Sequence, residues 1–69
     1  MISRLLITGA AGRLGGHLRI SLRPYAQTLR LSDIAAMPPA QAGEEVVLCE
    51  LSDKQAVDRL VQGCQAIVH

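Results

Sequence analysis

Apolar positions along this 69-residue chain follow two different periods. Leu5, Leu6 and Ile7 make a short continuous apolar run that leads through Thr8 to Gly9. Such a run, bounded by a turn residue, fits a strand covered on both faces, as in a parallel sheet. From Arg13 to about Leu22 the period changes. Leu14, Leu18 and Leu22 recur at i, i+4 and i+8, which predicts one apolar helical face. Arg13, His17, Arg19 and Arg23 fall mostly off that face, and Arg19 and Arg23 suit the negative C-terminal pole of a helix. Pro24 disfavours any continuation. Thr28 to Ser32 alternates and ends at Asp33, a second strand.

Two adjacent prolines and a glycine between Ala35 and Gly43 predict an irregular connection. Glu45 to Cys49 reads as a third strand, rich in β-branched residues. Ser52 is then a candidate N-cap with Gln55 completing a capping box. Ala56, Val57, Leu60 and Val61 share a helical face, and Gly63 predicts its end. Ala66, Ile67 and Val68 open a fourth strand. The order β-α-β-loop-β-α-β predicts the α/β class, with parallel pairing and right-handed crossovers. It is the N-terminal half of a doubly wound sheet. The fourth strand would lie beside the first, at the switch point where ligands bind.

Composition narrows the function classes. The formal charge is +1, and the single aromatic residue is Tyr25. Neither a clustered basic face nor a base-stacking platform is present, so no nucleic-acid partner is expected. No apolar run approaches a membrane span or a signal-peptide core, so the expected location is cytoplasmic with no membrane partner. Cys49 and Cys64 read as free thiols that are buried or nearly so. The spacing of His17 and His69 supplies no zinc site. A chain near 60 residues buries only about 60% of its unfolded surface. With no staples to compensate, residues 1–69 are expected to be the truncated N-terminal part of a single larger domain, marginal or self-associating alone.

The chemistry lies between the first strand and the first helix. Gly9, Gly12 and Gly15 give G-x-x-G-x-x-G. In a dinucleotide loop the first glycine turns the chain off the strand. The second admits backbone close to a diphosphate, and the third lets the helix pack on the sheet. The helix N-terminus offers free N–H groups to phosphate. Asp33 ends the second strand, near the spacing expected for a carboxylate that accepts from ribose hydroxyls. The alternatives are a plain tight turn at the glycines and a solvated turn-starting acid at Asp33. Asp33 favours NAD over NADP, whereas Arg13 and Arg30 are the residues that could argue for a 2′-phosphate. Glu50 could accept from the adenine amino group or be a solvated loop acid. The expected cofactor-binding set is Gly9, Ala11, Gly12, Arg13, Leu14 and Gly15, with Asp33, Ile34, Glu50 and Leu51. His17, Tyr25, Ser52 and Lys54 read as surface, packing, capping and solvated residues.

The run from Thr8 to Gly15 after a strand resembles the extended short-chain dehydrogenase/reductase superfamily, which includes the NAD-dependent sugar epimerases and dehydratases. Within it, Arg4 to Gly12, Leu29 to Ile34, and Asp53 through Gly63 and Cys64 to His69 are similar to the uronate dehydrogenases. The resemblance implies a Rossmann-like fold, NAD as cofactor and a homo-oligomer. It also implies that the intact protein oxidises the anomeric carbon of glucuronate or galacturonate to an aldarolactone. The family more often has aspartate where Glu50 stands. Its catalytic serine or threonine and Tyr-x-x-x-Lys have no counterpart here. Tyr25 and Lys54 are too far apart to form that pair, so no catalytic residue is assigned. A nucleotide-sugar epimerase or dehydratase, a non-catalytic dinucleotide-sensing module, and a truncated product without function are the alternatives.

Overall fold

A computed structural model describes all 69 residues. Four strands, β1 (Ile2–Thr8), β2 (Ala26–Asp33), β3 (Glu44–Leu48) and β4 (Ala66–Val68), form one sheet in the order β3-β2-β1-β4. All three pairings are parallel. Helix α1 (Arg13–Ser21) joins β1 to β2, and helix α2 (Lys54–Val61) joins β3 to β4. A short 3-10 turn, Arg23–Tyr25, follows α1, as the proline there allows. The segment from Ile34 to Gly43 forms no helix, as its prolines require.

The continuous apolar run in β1 is explained by what covers it. Leu5 and Ile7 pack with Leu29 and Leu31 of β2 and with Leu18 and Leu22 of α1. Leu6, one residue out of phase, packs with Cys49 and Leu60 and with Ala56, Val57 and Val61 of α2. Successive strand residues face opposite sides, so β1 can satisfy both layers only by being apolar throughout. Only 12 residues are buried, so each large core side chain contributes a large share of the driving force.

Two helical details differ from the sequence reading. Leu14 does not join the buried face of α1, since it is 71% exposed. The buried positions of α1 are Gly15 and Arg19. A Cβ on Gly15 would lie 2.4 Å from the Gly9 carbonyl oxygen and 2.6 Å from the Ala10 Cα. The helix has therefore settled with its glycine against the turn, which rotates Leu14 outward. The cap of α2 is Asp53 rather than Ser52. The Asp53 carboxylate accepts from the Ala56 N–H at 3.2 Å. That is the N-cap to N3 geometry, displaced by one residue from the predicted box. Gly63, with φ of +79°, ends α2 as predicted.

Arg19 does more than sit near a helix pole. Its guanidinium is bound by Glu44 (Nη2 to Oε1, 2.8 Å) and donates to the Pro38 and Pro39 carbonyls at 3.1 and 2.6 Å. Both charged side chains are almost fully buried. Arg23 adds a second contact to Glu44 at 3.3 Å. The cluster fastens the proline-containing connection to α1. Hydrogen bonding from Arg19 is the main reason that the Glu44 carboxyl is held down from 4.5 to about 2, with burial opposing it.

Two stability predictions follow from this packing. Gly15→Ala sets the new methyl against backbone atoms that cannot rotate away. It should lower unfolding stability by about 1–3 kcal/mol or more in urea titration. Because the folded-state pKa of Glu44 lies below its unfolded value, its contribution is present above pH 4.5. That stability should be lost progressively as pH falls toward 2. Glu44→Gln leaves Arg19 buried without a counter-charge and should cost about 3–5 kcal/mol at neutral pH.

Candidate functional site

The C-terminal ends of all four strands open onto one cleft of about 350 Å³. Thr8 and Gly9 follow from β1, Ser32, Asp33 and Ile34 from β2, Cys49, Glu50 and Leu51 from β3, and His69 from β4. Parallel pairing puts these ends on the same side, because every strand runs the same way.

The turn beside the cleft is built by the glycines. Gly9 adopts φ of +66°, a left-handed conformation that glycine takes without steric cost. The Gly12 N–H donates back to the Gly9 carbonyl at 3.1 Å, and the Ala10 N–H donates to Ser32 O at 3.0 Å. Helix α1 then starts at Arg13 with no side-chain cap and no acidic residue in its first turn. The Gly16 N–H is the first to close a helical bond, onto Gly12 O. The N–H groups of Arg13, Leu14 and Gly15 precede that bond, so the positive end of α1 carries donors without intrahelical partners.

Asp33 joins this turn to the connection after β2. Its Oδ2 accepts from the Ala11 N–H at 3.0 Å, and its Oδ1 accepts from the Ala35 N–H at 3.0 Å. These backbone donors, Ala35 first and then Ala11, hold the carboxyl below the usual aspartate range against a smaller opposing desolvation. Asp33 is thus an anion at neutral pH. Each oxygen accepts one backbone bond, and a carboxylate has about four lone-pair sites, so further donors can be accepted.

Gly9, Asp33, Ile34, Glu50 and Leu51 meet in the cleft. Ala11 and Gly12 lie on the other side of the turn, where they line a second cavity with Gly16, Arg19 and Pro38. Arg13 and Leu14 are exposed at the start of α1 and line neither space, while Gly15 is buried beneath the turn. Arg30 is turned away from the cleft. Its Nη1 donates to the carbonyls of Leu60 and Gln62 at 2.6 and 3.0 Å, and its Nε lies 3.4 Å from Glu45 Oε1. The strand alternation that puts Arg30 on the α2 face removes it from any phosphate beside Asp33. Glu50 is exposed, with Oε1 3.5 Å from the Ser52 N–H, a long contact that leaves the side chain available.

Thr8, Ser32, Cys49 and His69 were not in the predicted set, yet they line the cleft. Their signal in the sequence is positional: each stands at or next to a strand end. Only the lateral order of strands shows that four such ends converge. Cys49 is a free, buried thiol, and Cys64 is a free, half-buried one. No helix is long and apolar enough to cross a membrane.

No family model matches the chain. The curated uronate dehydrogenase of Pseudomonas syringae pv. tomato is 62% identical over 68 residues, which cover 97% of this chain and 25% of that protein. The crystal structure of a mutant uronate dehydrogenase from Agrobacterium tumefaciens complexed with NAD superposes with a TM-score of 0.95 at 51% identity. It covers 97% of this chain and 25% of its own. A glucuronic acid dehydrogenase from Chromohalobacter salexigens gives a TM-score of 0.95 at 49% identity, over 100% of this chain and 26% of its own. In sequence and backbone alike, this chain is similar to uronate dehydrogenases over nearly its whole length, and it spans about a quarter of the length of the curated relatives it matches.

Proposed function

We propose that residues 1–69 are the N-terminal part of a single Rossmann-like, NAD-binding domain in an oxidoreductase that acts on uronic acids. The observation that carries this reading is Asp33, an ionised carboxylate at the end of β2 that is hydrogen-bonded to the glycine turn. The similarity to uronate dehydrogenases supports the substrate class.

The donor set fits a dinucleotide. The free lone pairs of Asp33 would accept from the 2′- and 3′-hydroxyls of the adenosine ribose, and its charge would repel a 2′-phosphate. With Arg30 bound to the end of α2, no arginine on β2 offsets that repulsion. The open first turn of α1, from Arg13 to Gly15, would hold the diphosphate through backbone N–H groups, with Gly9, Ala11 and Gly12 shaping the turn. Ile34 and Leu51 present exposed apolar side chains that would flank the adenine, and Glu50 would accept from its amino group.

When bound, NAD supplies the hydride acceptor for C1 of glucuronate or galacturonate, which becomes the carbonyl carbon of an aldarolactone. The proton of the anomeric hydroxyl needs a separate acceptor. No side chain in this chain is assigned that task, so the 69 residues bind and orient but do not turn over substrate. The free thiols fit a reducing, cytoplasmic setting, and the expected assembly is a homo-oligomer acting on a small molecule rather than on nucleic acid.

Two measurements test the reading. The complete protein should reduce NAD in the presence of glucuronate or galacturonate. Absence of NADH absorbance with every uronate, together with turnover of a nucleotide sugar, would replace it with the epimerase or dehydratase alternative. Asp33→Ala should lower the NAD-over-NADP preference of the complete protein by about tenfold or more, consistent with loss of charge-assisted hydrogen bonds. An unchanged ratio removes Asp33 from the ribose site.

A further inference from the structure

The connection after β2 has little of its own to hold it. From Ile34 to Gly43 it contains neither helix nor strand. Ile34, which lines the cleft, is 68% exposed, and Ala35 and Ala36 are exposed as well. Three anchors fix the first half of this segment. The Ala35 N–H donates to Asp33 Oδ1 at 3.0 Å, the Met37 side chain packs on the core, and the Pro38 and Pro39 carbonyls accept from Arg19 at 3.1 and 2.6 Å.

The third anchor differs from the others because it comes from α1. All three guanidinium nitrogens of Arg19 are engaged. Nε and Nη2 donate to the Glu44 carboxylate, Nη1 donates to Pro38, and Nη2 donates also to Pro39. A planar fork of this kind fixes the carboxylate and the two carbonyls relative to one another, which an ammonium group cannot do. Only Ala36 and Met37 separate Ala35 from Pro38. At about 3.5 Å per residue, a fixed Pro38 confines Ala35 to within about 10 Å of it. The open first turn of α1 begins at Arg13, less than two helical turns before Arg19. One helix therefore carries donors for a diphosphate at its start and holds the connection beside Asp33 further along.

We propose that Arg19 is a positioning residue for the adenosine half of the dinucleotide. It lies outside the cleft and touches no ligand there. It fixes Ile34, and the Ala35 N–H that orients Asp33, at a set distance from the first turn of α1. This inference rests on the dinucleotide reading above and extends it to a buried ion pair behind the cleft.

Arg19→Lys keeps a cation beside Glu44 but gives up the bridge to the two carbonyls. Arg30 supplies the control, since it also donates to two carbonyls but ties β2 to the end of α2 on the other face of the sheet. In the complete protein, Arg19→Lys should weaken AMP and NAD by about three- to tenfold, the range of one net hydrogen bond. The KM for the uronate should stay at its wild-type value, and hydrogen exchange at the Ala35 amide should quicken. Arg30→Lys should lower the Tm and leave AMP affinity unchanged. If Arg19→Lys does not fold, Arg19→Gln combined with Glu44→Gln removes both buried charges together and should weaken AMP in the same way. Unchanged AMP affinity in the folded Arg19 variant would overturn the inference. So would an equal loss in Arg30→Lys, or a parallel rise in the KM for the uronate, since either marks a general loss of stability. If the wild-type protein binds neither AMP nor NAD, the proposed function itself falls, an outcome distinct from wild-type binding that the Arg19 variant leaves intact.

Discussion

The close approach of α1 to the glycine turn is the constraint from which the rest of the structure follows. With only hydrogen at Gly15, the helix can lie against the Gly9 carbonyl and the Ala10 Cα, distances no Cβ would tolerate. That contact sets the rotation of α1 about its axis. Leu14 is turned to solvent, Leu18 and Leu22 reach the core, and Arg19 is brought over the sheet. It also sets where the helix begins, directly after the turn. The unpartnered N–H groups of its first turn then lie beside the strand ends, where an anion would be bound.

Burying Arg19 would be costly without a partner, and the chain supplies three. Glu44 provides the counter-charge, and the Pro38 and Pro39 carbonyls accept the remaining donors. Proline suits this connection because its own missing N–H leaves nothing unsatisfied there, while its carbonyl is free to accept. A second arginine group occupies the other face of the sheet. Arg4 and Arg30 share Glu45 Oε1, and Arg30 also binds the carbonyls at the end of α2, where a cation is favoured. Each helix is therefore tied to the sheet by an arginine as well as by apolar packing. This matters in a chain with so few buried residues.

Asp33 links that scaffold to the site. One oxygen holds the glycine turn and the other holds the start of the following connection, so two of the loops that border the cleft are fixed to a single carboxylate. A ligand hydroxyl that binds the remaining lone pairs meets an acceptor that is already oriented. Preorganisation of this kind reduces the ordering cost of binding.

Much of this was legible in the residues. The period switch from the continuous run at Leu5–Ile7 to helical spacing, the three glycines, and Asp33 at a strand end determined the class of fold and the kind of site. Those are local signals: a strand covered on both faces must be apolar throughout, and a turn with φ of +66° calls for glycine. What tertiary structure decided was orientation. Helical spacing named Leu14 as a core residue because periodicity does not know that Gly15 is the point of closest approach. The capping pattern named Ser52, while the chain entered α2 one residue later at Asp53. Arg30 could have faced a phosphate until strand alternation and α2 set its direction. His69 entered the cleft only because β4 pairs with β1 rather than with β3. Sequence spacing specifies which side chains can share a face. Which face meets which neighbour depends on contacts between residues as many as 62 positions apart, as between Ser3 and Gln65, and these exist only once the sheet is assembled.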